Sequence, residues 1–130
     1  MKRHTFLQPL SREHHTALTL AKNCERVAKS GDEAQVKLAC QHVILAFSNE
    51  LEPHFQTEEA SLLPLLMNST EGQALRERTM SEHRQLRGFL DALGKYDAET
   101  LARFGKCLST HVRFEERELF PALENLLPQE

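Results

Sequence analysis

The chain has 130 residues, 40% apolar and 27% charged, with a net charge of −3. That length suits one domain (1–130) with a proper core, and the lack of a basic excess argues against nucleic-acid binding. No apolar run approaches the ~18 residues of a membrane span, and none follows Met1-Lys2-Arg3-His4, so neither a span nor a leader peptide is expected.

Glycine and proline are scarce at five each, and β-branched runs are absent. Four amphipathic helices follow in chain order. The first is expected from about Ser11, as N-cap, to Ser30, with Gly31 just past its end. At 100° per residue Leu10, His14, Ala17, Leu18, Ala21, Cys24 and Ala28 share its inner face, and that face selects His14 over His15. The second opens at Asp32, with Gln35 completing a capping box. Its inner face carries Val36, Ala39, Cys40, Val43, Phe47, Glu50, His54 and Glu58. Pro53 should kink it just before His54, and Pro64 should end or bend it.

Thr70 with Gln73 is expected to cap the third helix, whose inner face is Thr79, Met80, His83, Leu86, Leu90 and Leu93. Asp97 caps the fourth, which turns Phe104, Cys107, Leu108, His111, Val112, Glu115, Leu119 and Ala122 inward. Short connections make neighbours antiparallel. The predicted fold is therefore all-α, an up-down-up-down four-helix bundle.

Two stretches are near copies. His54 to Pro64 and His111 to Pro121 both fit H-x-x-x-E-E-x-x-L-[LF]-P, 57 positions apart. Upstream of each stands a lone Glu-His pair, Glu13-His14 and Glu82-His83. On a helix, positions i and i+4 lie one turn apart on one face, so His54 with Glu58, and His111 with Glu115, can reach a common point.

An isolated H-x-x-x-E is usually a surface pair, and a lone inward His is usually a hydrogen-bonded core residue. Here six polar residues fall on apolar faces: His14, His54, Glu58, His83, His111 and Glu115. Core positions are not polar unless something uses them, and buried carboxylates without partners are costly. Four imidazoles and two carboxylates are enough ligands for two metal ions. His14 and His54 should meet in one layer, while His83 and His111 match more loosely in height.

A ferritin-like site needs E-x-x-H on two helices, and no histidine here has Glu three positions before it. H-E-x-x-H and C-x-x-C are also missing. Glu50 and Cys107, each one turn before a ligand candidate, are read as candidates to support the site, beside their plainer readings as a helix-face Glu and a core thiol. Glu59 and Glu116 point away from the seam and are read as solvated, with holding a ligand His in place as the lesser alternative. Phe47, Phe89, Phe104 and Phe114 are expected to pack around the site. The cysteines Cys24, Cys40 and Cys107 are expected to be reduced, in a cytoplasmic protein.

The ordered set of lone His, H-x-x-x-E, lone His and H-x-x-x-E resembles the hemerythrin-like (HHE cation-binding) family over about residues 10–127. Glu13-His14, His54 to Pro64, Glu82 to Leu86 and His111 to Pro121 carry the likeness. The resemblance implies two non-heme iron ions, with zinc or manganese as alternatives. It makes His14, His54, His83 and His111 terminal ligands, with Glu58 and Glu115 bridging. It implies coordination positions open to O2, NO or peroxide. Oxygen-carrying members have a second His where this chain has Arg87, and an Asp at i+5 where it has Glu115 at i+4. The likeness is therefore to the four-His, two-Glu subgroup, tied to iron sensing and repair of iron centres. With no cysteine-bearing segment ahead of the first helix, the expectation is a sensor, store or scavenger. A weak oxidase or peroxidase activity fits the same site, and a non-catalytic module handling iron or zinc is the alternative.

Overall fold

A computed structural model describes residues 3–129. Met1 and Lys2, which begin the stretch read as lacking a leader, and Glu130 lie outside them. The described residues form four antiparallel rods and no strand. They are α1 (Gln8–Lys29), α2 (33–66), α3 (70–93) and α4 (98–124). The predicted all-α four-helix bundle is what the chain forms. Among the described residues no helix is long and apolar enough to cross a membrane.

The first helix starts at Gln8 rather than at Ser11, with Pro9 in its first turn. Proline is suited there, because its φ is already helical and its missing N–H would have had no partner. Buried Leu7 and Leu10 anchor this start. At the other end Gly31 takes φ +71, a left-handed conformation that glycine adopts at little cost. Asp32 then caps α2 by accepting from the Gln35 N–H at 3.2 Å. The cap of α3 is Ser69, one residue before the expected Thr70, accepting from Gly72 at 2.9 Å. Asp97 caps α4 by accepting from Thr100.

Prolines shape the two rods that carry the copied stretches. Each of Pro53, Pro64 and Pro121 directly follows a turn widened from four residues to five. There Glu52 N–H bonds Phe47 O, Leu63 N–H bonds Glu58 O, and Phe120 N–H bonds Glu115 O. An interior proline lacks the donor for the carbonyl four residues back and clashes with it; a π-type turn takes the chain past without a break. The helical hydrogen bonding runs on through Pro53 into Glu52–Thr57. Glu50 lies in the first widened turn, where the 100° step does not hold, and its side chain is exposed rather than inward.

The core is divided. One apolar cluster includes Ala17, Phe47, Leu51, Phe55, Leu86, Leu108 and Val112. The other includes Leu10, Leu62, Leu66, Phe114, Leu119 and Phe120. In every rod a histidine sits at the junction of the two. Gly105 lets α4 approach α1 closely, since a Cβ there would lie 2.7 Å from Ala21 O.

Candidate metal centre

Between the two clusters His14, His54, Glu58, His83, His111 and Glu115 are all at most 6% exposed. Leaving six polar groups here without mutual partners would cost several kcal/mol each, so what they face decides whether the fold tolerates them (~1–3 kcal/mol for a neutral group, more for a charge).

They face one another in two groups. In one, His54 Nε2 lies 3.2 Å from His14 Nε2 and 3.1 Å from Glu58 Oε2, while His14 Nε2 lies 2.6 Å from Glu115 Oε1. In the other, His83 Nε2 lies 3.0 Å from Glu58 Oε1, and His111 Nε2 lies 3.1 Å from Glu115 Oε2. Each carboxylate thus turns one oxygen to each pair of imidazoles. Ligand atoms at ~2.1 Å from one cation and at right angles about it stand ~3 Å apart, which these separations approximate. Glu58 Oε2, His111 Nε2 and Glu115 Oε2 are buried without a hydrogen bond despite their close neighbours. Their lone pairs converge on shared points instead of on donors. The donor set therefore fits cations: within each group, all four ligand atoms lie within 4.8 Å of one another.

The imidazoles are oriented from behind. His14 Nδ1 lies 2.6 Å from Glu116, and His54, His83 and His111 Nδ1 lie 2.7 Å from Glu13, Glu59 and Glu82 respectively. An Nδ1–H given to a carboxylate leaves the Nε2 lone pair for the interior and makes it more basic. The expectation that Glu59 and Glu116 are solvated is thus corrected. The second Glu of each H-x-x-x-E-E stretch crosses to the lone His of the other half: Glu59 to His83, Glu116 to His14. The Glu preceding each lone His serves the next rod: Glu13 to His54, Glu82 to His111. Sequence reasoning missed Glu13 and Glu82 as holders, although the doubled Glu-His pair was a visible signal.

Three of these four carboxylates are themselves held by arginine. Arg87 donates to Glu59 at 2.8 Å and grips Glu52 through two bonds of 2.8 Å. Arg3 donates to the Glu116 carboxylate and carbonyl, and Ser11 donates to Glu116 at 2.7 Å. Arg78 donates to Glu82 at 3.0 Å. Among the described residues no arginine pairs with Glu13, and its side chain is 56% exposed.

Aromatic rings complete the packing. Phe55 stacks on His83 with centroids 4.0 Å apart, and Phe120 on His14 at 4.9 Å. Of the phenylalanines expected around the site, Phe114 approaches His111, whereas Phe47, Phe89 and Phe104 pack with one another farther into the core. The two imidazole pairs have equal centroid separations of 4.9 Å, so His83 and His111 meet as closely as His14 and His54. Cys107 is half-buried beside Glu82 in a shallow depression, and Glu50 lines a cavity next to His54.

Without cations the cluster balances itself with protons. Burial disfavours a charged His54, but hydrogen bonds and charge from Glu115 and Glu58 outweigh it and push its pKa up to about 11. His111 is raised to about 10 by the same contest, with Glu115 and Glu82 as the carboxylates that win. Burial and the Glu115 charge raise the Glu58 carboxyl. Burial would raise Glu115 too, yet His111, His14 and His54 hold it well below its ordinary value. Partial burial is likewise overcome at Glu116, which His14, Ser11 and Arg3 hold down to about 2. A cation held by these atoms would have to displace those protons.

Residues 5–123 match the family model of the hemerythrin HHE cation-binding domain. The chain belongs to this family. Comparisons with curated proteins and with solved structures gave no match. The hemerythrin match and the His/Glu groups agree in pointing to metal binding. In this hemerythrin-type bundle Arg87, one turn after His83, contributes no ligand and instead secures the carboxylate behind that histidine.

Proposed function

We propose that the chain holds two non-heme iron ions and binds or reacts with O2, NO or peroxide in sensing or stress defence. His14 and His54 would hold one ion, His83 and His111 the other, with Glu58 and Glu115 shared between them. The observation that carries this reading is the opposed placement of the two oxygens of Glu58 and Glu115, one toward each imidazole pair. Imidazole and carboxylate donors without a thiolate suit iron, with zinc or manganese as alternatives.

An iron pair supplies redox and Lewis-acid chemistry when bound. The chain's own contribution is to orient the ligands and to wall off the two ends of the site. Glu13, Glu59, Glu82 and Glu116 fix the tautomer of each imidazole, Phe55 and Phe120 cover two of the rings, and the two apolar clusters close off both ends. A second reading, a non-catalytic module that takes up or senses iron or zinc, is favoured by the Glu13–His54 pair, which no arginine secures among the described residues.

The test is the metal content and visible spectrum of protein produced in iron-rich medium. Two irons per chain are expected; one or none would sink the two-ion reading. Steady consumption of O2 or peroxide by the loaded protein supports reactivity. A large fall in melting temperature on metal removal, with no turnover, supports the handling module.

A further inference from the structure

The two halves of the centre are near copies, yet their surroundings differ. Beside His54 and Glu13 a cavity of about 580 Å³ opens between α1 and α2, lined by both imidazoles of one half, His14 and His54, and by one of the other, His111. Its polar lining includes Glu13, Glu50, His15, His42, Asn23 and Asn49, and among the described residues no Lys or Arg lines it. The Glu82 side of the other half has a depression of about 170 Å³ lined by Glu82, Gln85, Leu86, Lys106, Cys107 and Thr110. Glu82 is also tied by Arg78, whereas Glu13 is the most exposed of the four holders, at 56% against 19% for Glu82.

We propose that this cavity is the port through which a hydrated divalent cation reaches and leaves the His14/His54 half. That ion exchanges, while the His83/His111 ion is retained. The carboxylates of Glu13 and Glu50 and the amide oxygens of Asn23 and Asn49 give a dication oxygens to trade for its waters one at a time. Inside, Glu58 Oε2 is fully buried, lacks a hydrogen bond and lies 3.1 Å from His54 Nε2, a receiving ligand already in place. Glu13 is the positioning residue. Its release lets His54 turn, and no arginine opposes that release. On the other side Glu59 cannot leave His83 without breaking its bond to Arg87.

The inference rests on the two-ion reading, and one experiment separates them. Protein loaded anaerobically with ferrous ion is mixed with an excess of a coloured ferrous chelator, and release is followed by absorbance. Two phases of one equivalent each are expected, the first at least tenfold faster. Glu13→Ala should speed the fast phase several-fold and leave the slow one alone; Glu59→Ala should do the reverse. Glu50→Gln, at the mouth, should slow uptake of the exchanging equivalent and gives a second test if Glu13→Ala does not fold. Both ions leaving together at one rate, Glu13→Ala speeding the slow phase instead, or Glu50→Gln leaving uptake unchanged would overturn the port. A protein that never takes up two ions would instead overturn the two-ion reading beneath it.

Discussion

Glu59→Ala tests how far orientation from behind matters to the centre. The substitution removes the carboxylate 2.7 Å from His83 Nδ1 and leaves all six inward side chains in the chain. Loss of such a holder costs about 10–100-fold in metal affinity, or ~1.4–2.7 kcal/mol. The cost to the metal-free fold should be far smaller. Arg87 loses one partner but keeps both bonds to Glu52, and a part-exposed ion pair contributes only ~0–1 kcal/mol. Glu58→Ala, by contrast, takes an oxygen from both groups and should abolish stoichiometric binding. The assay is metal competition against a chelator of known affinity, beside melting curves of the metal-free variants. Binding by Glu59→Ala within twofold of the parent, or as poor as that of Glu58→Ala, would refute the reasoning.

Three further outcomes are expected. Gly105→Ala should destabilise the bundle by ~1–3 kcal/mol with or without metal, because the new methyl meets the Ala21 carbonyl; a higher melting temperature would show that α1 and α4 can part freely. For the metal-free protein, His54 and His111 are raised from 6.5 to about 11 and about 10. Their stabilisation is complete below the unfolded value and is lost as pH rises through the folded ones, so the melting temperature should fall from pH 7 to 10. Metal affinity should run the opposite way, since binding displaces those protons, with release on acidification below about pH 6; retention of both ions at pH 4 would count against an imidazole-rich site.

The four rods were legible because each buries a continuous apolar stripe, and the six inward groups because they interrupt those stripes at one-turn spacing. Such patterns depend only on helical geometry, as at His54 and Glu58 or His111 and Glu115. The widened turns were not legible, since a constant 100° step cannot register one extra residue; for that reason Glu50 was expected inside and is exposed.

The sequence by itself determined which residues share a helix face, and with them the doubled pattern, because i to i+4 contacts are local. Only the tertiary structure decided what stands behind each imidazole. His14 meets Glu116 from the far end of the chain, and His83 meets Glu59 from another rod. Such pairs are set by how rods rotate and dock against one another. That docking also left Glu13 without the arginine that secures its three counterparts.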